Sequence, residues 1–584
     1  MNSRNYKKVY AAFILAGGLI LHGCNGIFDD LAINPNQPSM GAYFTSPSAV
    51  NDAVMTMYGY MSTQRCLGAS GSKTTIIRSD EASSNSDYGK PGMFGADLNA
   101  SYYTIEQPYT LMYTTASQAS YIIETAPSVD FSGNEEMRNA YMGEAYFWRA
   151  FAHYYLLINF RNISPIRQMP RNGDDYVRPL EKPAAVWDFI QEDLAHAKEL
   201  LPVKGYWDSK NAGRVTKASA AALLGKAYLY RSGIEQYYGE DKTTFYSEAA
   251  KEFGDVIDGK YGTYDLTKNY ADNFDVAHEN NEESILEFQF LGDVDNAGFN
   301  PGLATSGLAF DSRGLMLPGA GVGYEGVVHN WLYNAFVNSV DKDGYTDIRM
   351  FSTMIFNDLD ASIHLRNDAG GNPVRLEGPG GYKWEELYPA KNGKEGFATV
   401  SNPLAHSFKA GIRKGIDCSM PTQTEADGTP KLVGVGAGVK EYVYNQPRAH
   451  GVNWRYIRYA DVLMMYAESV VSGGTPASNM TPLQAVNKVR GRANMSELPS
   501  VTMADIQNER ILEFALEGHR FYDLLRWGKL ASRFTELQES DPNFKKFISA
   551  DDFKGFVTNK HEWLPIPINE VNSNPYITEN NPGY

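Results

Sequence analysis

Met137, Tyr141, Ala145, Trp148, Ala152 and Tyr155 recur at intervals of three and four residues. That spacing puts all six on one side of an α-helix and predicts an apolar stripe about five turns long. Such a stripe is stable only when other elements cover it, and the whole stretch from about Ser46 to Lys260 reads as amphipathic helices separated by short breaks. The chain therefore has to fold, in this part, as helices packed on helices.

Two short patterns say how closely those helices approach. Leu224-Gly225-Lys226-Ala227-Tyr228 fits the L-G-x2-Y core of a tetratricopeptide repeat helix, and Ala249 through Phe253 fits its A-x3-F partner. Gly143 to Tyr146 repeats the G-x2-Y spacing. The small residue lets a neighbouring helix come near while the aromatic fills the groove, so degenerate helix pairs are expected rather than a regular array.

From about Tyr261 to Asn453 the pattern changes to clusters of Gly, Asn, Asp and Pro, with short apolar runs such as Glu283 to Phe290, which alternates like a strand. An irregular stretch of this size inside a folded chain is usually functional or covers a surface. Helices resume at Tyr456–Val470, Pro482–Arg492 and Thr502–Lys529, the last opened by a capping box of Thr502 with Asp505. The expected organisation is thus a helical part 46–260, a loop-rich insertion 261–453 and C-terminal helices and tail 454–584, packed as one mainly α-helical domain.

Ahead of these, Arg4, Lys7 and Lys8 precede an apolar run from Val9 to Leu21 that is short for a bilayer span and reads as a secretory signal peptide, residues 1–23. The run ends in Leu21-His22-Gly23-Cys24, which resembles the lipobox at which bacteria acylate a cysteine; His22 departs from the usual small or hydroxylic residue. On this reading Cys24 is the lipidation site and 24–45 a linker, and several acyl chains tether the domain without a spanning helix. Asp29 and Asp30 resemble the surface-export signal of Bacteroidetes lipoproteins, although a solvated linker would look the same.

The formal net charge of −16 includes the three basic residues of that leader, and no Lys/Arg cluster is present. This balance argues against nucleic acid and anionic lipid as ligands, since both need clustered cations. Besides Cys24 there are only Cys66 and Cys418, too few for a disulfide framework, with a single bridge left open. The ten histidines form no zinc-binding spacing, and there is no C-x-x-C, Walker loop or G-x-S-x-G elbow. Gly321 to Gly326 satisfies G-x-G-x-x-G without a preceding strand and reads as a loop. Asp341 to Asp347 resembles a calcium loop, but its glycine falls early and no glutamate closes it, so a turn is expected. No cofactor or resident metal is implied. A glycoside hydrolase would need two carboxylates across a cleft, and among 69 acidic residues nothing marks a pair.

Three C-terminal blocks carry a specific resemblance: Trp454 to Glu468, Glu509 to Lys529, and Trp563-Leu-Pro-Ile-Pro567 with the closing Asn574-Pro575 and Asn581 to Tyr584. With Gly143 to Arg149 and the lipobox, they resemble, in order, the SusD/RagB family. Read from the residues alone, Glu517 with Arg520 and Asp523 with Arg526 are three apart and are expected to pair along one helix as a structural ion network. The resemblance implies a SusD-like fold with tetratricopeptide-like helix pairs and a loop-rich irregular subdomain. It also implies a non-enzymatic outer-membrane lipoprotein that captures a glycan (oligosaccharide) and delivers it to a SusC-like TonB-dependent transporter. The alternative is a helical-repeat scaffold binding peptide or protein at the cell surface.

The family's ligand face uses the loop after the first helices and the irregular middle region, here Arg78–Tyr103 and roughly Leu308–Trp384. Sugars need aromatic faces for their C–H patches and paired donors and acceptors for their hydroxyls. Asp80, Asn85, Asp87, Tyr88 and Phe94 offer that mixture in the first segment, and Tyr324, Trp331, Tyr382 and Trp384 offer platforms in the second. Ordinary loop packing or turn capping would also account for each. Tyrosine, numerous at 38, suits either a carbohydrate or a peptide binder.

Overall fold

The computed structural model describes residues 45–63, 65–84, 94–95, 98–171, 175, 177–290, 310–311, 326–378, 381–400, 403–414, 432–434, 440–442, 449–541, 544 and 555–584. The signal peptide, Cys24, the linker up to residue 44 and Cys418 lie outside them. The α-helices longer than four residues are α1 (Pro47–Ser62), α2 (Ser70–Ile77), α3 (Tyr103–Thr125), α4 (Glu135–Phe160), α5 (Pro183–Leu200), α6 (Lys217–Tyr238) and α7 (Tyr246–Ile257), then α8 (Asn330–Val337) in the irregular region. The C-terminal part adds α9 (Tyr459–Val471), α10 (Pro482–Arg492), α11 (Met503–Glu513), α12 (Arg520–Arg526), α13 (Leu530–Ser540) and α14 (Ile568–Ser573).

Helices α3 to α7 stack each on the next, and α7 continues the array onto α9 and α10. The stripe on α4 is the centre of this stack: Tyr141, Ala145, Trp148, Ala152 and Tyr155 are buried, and Asn134 caps the helix by accepting from the Met137 N–H at 3.1 Å. Spacing by small residues works as expected. A Cβ on Gly225 would lie 2.8 Å from the Phe253 ring across the α6–α7 contact, and one on Gly143 would lie 2.9 Å from Leu201. Gly225→Val is accordingly expected to lower unfolding free energy by about 1–3 kcal/mol, read as a lower urea midpoint.

Of the four small sheets among the described residues, two pin the irregular region. Strands β1 (Ala82–Ser84), β3 (Gly326–Val328), β4 (Met354–Phe356) and β5 (Ala410–Ile412) form one sheet in the order β1-β3-β5-β4, all antiparallel. Strand β2 (Ser284–Phe288) pairs antiparallel with β6 (Trp454–Arg458). The alternation at Glu283 to Phe290 thus makes the expected strand. Its partner corrects the expectation of a helix from Tyr456, because the stretch to Arg458 is used as strand and α9 starts one residue later. At Asp341 the chain turns, with Asp341 accepting from the Asp343 and Tyr345 N–H groups at 2.9 Å each. Cys66 is a buried free thiol, pushed up to about 12 by burial.

A second correction concerns Thr502–Lys529. The capping box forms, the Thr502 N–H donating to Asp505 at 2.8 Å. The helix nevertheless ends at Glu513 and restarts at Arg520, because Leu516 and Gly518 take φ of 61° and 85°. Left-handed backbone at a leucine costs of the order of 1–2 kcal/mol, and it is held by side chains that take up the freed carbonyls. Tyr270 and Arg458 donate to the Glu513 carbonyl at 2.6 and 2.8 Å, and Lys414 to that of Ala515 at 2.9 Å. Asp523 and Arg526 do pair, at 2.9 Å. Glu517 and Arg520 do not, because the break points them apart: Glu517 takes Arg458 and Lys414, and Arg520 takes Asp80.

These pairs belong to a buried ion network joining distant parts of the chain. Arg458 meets Glu283, Glu513 and Glu517 at 2.6, 2.6 and 2.8 Å, and Arg349 meets Asp347, Glu509 and Glu513 at 2.8, 2.5 and 2.9 Å. Next to it, Asp461 receives Lys226 from α6 at 3.2 Å and Arg510 from α11 at 2.8 Å. The blocks at Trp454 to Glu468 and Glu509 to Lys529 are therefore structural, fastening the irregular region to the helical stack.

Candidate functional site

Ser84 at the end of β1 lies opposite Gly326 at the start of β3. The chain leaves this sheet after Ser84 towards residues 85–93 and returns to it at Gly326 after residues 312–325, so the two segments expected to face a ligand are anchored side by side. Asn85, Asp87, Tyr88 and Tyr324 themselves lie outside the described residues.

The base beneath that edge is made from charged and aromatic side chains, and Asp80 is its hub. Its carboxylate is fully buried, with Arg520 donating at 2.9 and 3.0 Å and Arg533 at 2.6 Å. Burial alone would raise its pKa; the two guanidiniums outweigh that and hold it below the usual carboxylate range. Glu81 alongside is the opposite case. Burial, with the charge of Asp80 adding to it, pushes its carboxyl up to about 8, although it accepts from the Leu516 N–H at 3.0 Å and the Ser79 hydroxyl at 3.1 Å.

His329 locks β1 to β3. Its Nδ1–H donates to the Asp80 carbonyl at 2.8 Å, which leaves Nε2 to accept from the Ser83 hydroxyl at 2.6 Å. Burial lowers its pKa, so the ring is held neutral in that tautomer. Trp331, on the first turn of α8, donates its Nε1–H to the same carbonyl at 2.5 Å. The Arg533 guanidinium sits 4.2 Å from its ring centroid and that of Arg520 5.5 Å, a cation–π arrangement that fixes the indole.

The candidates named from sequence divide accordingly. Trp331 and Tyr382 are half-buried and reach the surface. Asp80, Phe94 and Trp384 do not, which corrects their expected place on a ligand face. Asp80 is an internal counter-ion. Phe94 stacks on His561 at 4.9 Å and meets Phe534 edge-on at 5.0 Å, and Trp384 packs against Tyr388 and Phe397 at 4.6 and 5.1 Å. Sequence reasoning passed over His329, Ser83 and Arg533. Only Arg520 carried a signal, since it falls in the Glu509–Lys529 block.

Asp272, Asp275 and His278 are the group of metal-ligating type whose ligand atoms approach within 4.8 Å among the described residues. Asp275 is committed there to its own turn, accepting from the Ala277 and His278 N–H groups at 2.8 and 3.0 Å and from the His278 ring at 2.8 Å. That accounts for the cluster without an ion. No described helix is long and apolar enough to cross a membrane.

Two family models match the chain, one described as the SusD family over residues 424–584 and one as "Starch-binding associating with outer membrane" over residues 33–229. A SusD-like protein of Bacteroides ovatus is 25% identical over 532 residues, covering 90% of this chain and 83% of that one. Among solved structures, a SusD superfamily protein from Bacteroides vulgatus superposes with a TM-score of 0.67 at 22% identity, over 93% of this chain and 100% of that one. Surface glycan-binding protein A from Bacteroides thetaiotaomicron, in complex with laminarihexaose, does so with a TM-score of 0.65 at 19% identity, over 92% and 100%. At these identities the structures share the fold, and the mainly α-helical architecture described above is theirs.

Proposed function

Because the chain belongs to the SusD/RagB family, we propose that it is a non-enzymatic glycan-binding lipoprotein of the cell surface that captures an oligosaccharide and passes it to a SusC-like TonB-dependent transporter in the outer membrane. One observation supports this reading: Ser84, after which the chain enters residues 85–93, pairs with Gly326, which follows residues 312–325. A shared anchor favours binding, because ordering two unconnected loops at the moment of contact would consume much of the affinity. The relatives add weight, one being a laminarin-binding SusD-like protein and another having been solved with laminarihexaose. The tether at Cys24 and the stacking of sugar on Trp331 and Tyr382 are parts of the same proposal.

Affinity electrophoresis and calorimetry with a polysaccharide panel that includes laminarin test it. Trp331→Ala and Tyr382→Ala are each expected to weaken binding about ten-fold, the loss of one stacking platform. Retention by no member of the panel, or cleavage of a labelled member by the pure protein, would overturn the reading. Affinity capture from detergent-solubilised envelope tests the handover, with a TonB-dependent barrel as the expected co-purifying protein; recovery of other client proteins instead would favour a helical-repeat scaffold.

A further inference from the structure

Apart from that sheet edge, α3, the residues Ser164, Ile166, Asp175 and Arg178, and the start of α14 line a half-open cavity of about 380 Å³. None of its lining residues belongs to the Asp80 base. Tyr113, half-buried, presents an aromatic patch backed by the buried Tyr109, their ring centroids 4.8 Å apart. Tyr113 is fixed from behind, its hydroxyl accepting the Ser164 N–H at 3.1 Å. The wall opposite is also built: the Ile568 N–H donates to the Ala100 carbonyl at 2.8 Å, and Asn569 donates to Glu106 at 2.5 Å.

The polar groups around this patch are positioned and only part-used. Glu106 and Glu570 are each held through Oε1, by Asn569 at 2.5 Å and Asn574 at 3.0 Å, and their second oxygens take no bond among the described residues. Arg178 is anchored by its backbone, the carbonyl accepting from Ser164 and Asn574 at 2.9 Å each, while among the described residues its guanidinium donates to the Pro165 carbonyl alone, at 3.4 Å. Ser117 adds a hydroxyl on the same face of α3.

We propose that this cavity is a second, separate saccharide site that takes a neutral sugar of one or two rings. The tyrosine patch receives C–H faces, the carboxylates accept from sugar hydroxyls in charge-assisted bonds, and Arg178 donates to ring or hydroxyl oxygens. The volume is at the small end for a ligand pocket, which limits the occupant to that size. With Asp175 the lining holds three carboxylates against one guanidinium, a field that disfavours uronic acids and other anionic sugars. The site stands independently of the loop edge, so either can fail alone.

The probes are glucose, galactose, mannose, maltose, cellobiose and laminaribiose, with glucuronate and a neutral dipeptide as comparators, titrated into the full chain and followed by saturation-transfer NMR and calorimetry. At least one neutral sugar is expected to bind with roughly millimolar affinity or tighter. Arg178→Ala should weaken it about ten-fold, and Ser117→Trp, which fills the cavity, should abolish it. Both variants should melt as the parent does and retain the parent's polysaccharide affinity. Binding of no neutral sugar, equal binding by the folded Arg178→Ala protein, or preference for glucuronate or the dipeptide would overturn the assignment.

Discussion

Arg458→Met should destabilise the protein by about 3–5 kcal/mol or prevent its folding. Arg458 is wholly buried and all five of its N–H groups are used: Nε donates to Glu517, Nη1 to Glu283 and Glu513, and Nη2 to the Glu513 carbonyl and Glu517, at 2.6 to 2.9 Å. Glu513 is pulled far below the usual carboxylate range because Arg492, Arg458 and Arg349 together outweigh its burial. Methionine fills similar volume but leaves these carboxylates short of a cation in a dry interior. Arg458→Lys keeps the charge and loses two donors and the planar fork, so its urea midpoint should fall between those of the parent and the methionine variant. A methionine variant as stable as the parent would mean that the network contributes nothing the packing does not.

Glu81→Gln should make the protein more stable above pH 8 and leave it nearly unchanged near pH 5. The Glu81 carboxyl, raised to about 8 by burial and by Asp80, keeps its proton in the folded state over a range where the unfolded chain has lost it. The folded state therefore binds more protons between the ordinary value of 4.5 and about 8, and parent stability falls as pH rises through that window. At 1.36 kcal/mol per unit the full effect is at most about 5 kcal/mol. Glutamine stays neutral throughout, and its Oε1 can still accept from the Leu516 N–H. Lys414, lowered to about 8 by burial, adds the opposite slope above that value, where the unfolded lysine still holds its proton. The difference between variant and parent cancels that slope. Parallel stability profiles for the two proteins from pH 5 to 9 would refute the assignment to Glu81.

The two variants bear on one design. Asp80 and Glu81 sit under the sheet edge where the candidate ligand segments are anchored, and Arg458 belongs to the network that ties the irregular region to the helices. A change of stability in either place should therefore be felt at the sheet edge that anchors the candidate ligand segments.

The stack α3 to α7 was legible because helical periodicity and the glycine-aromatic spacing at Gly225 and Phe253 are patterns within a few turns of chain. The strand at Ser284–Phe288 was legible from alternation, whereas its partner at Trp454–Arg458 was not, since a short run beside a strong helix signal becomes strand only through a distant neighbour. The Asp523–Arg526 pair could be read from spacing; the failure of Glu517 and Arg520 to pair could not, because the left-handed residues Leu516 and Gly518 belong to a break that Tyr270, Lys414 and Arg458 stabilise from elsewhere. At the candidate site, residue type proposed Asp80, Phe94 and Trp384 for a ligand, and only the folded chain showed them enclosed.

By itself the sequence determined the helix pairs, the family blocks and the net acidic charge, because each depends on residue type and local spacing. The tertiary structure alone decided which charges are buried, which partners they take and which aromatics remain at the surface. Asp80 and Arg520 are 440 residues apart in the chain, and no local pattern reports a contact over that separation.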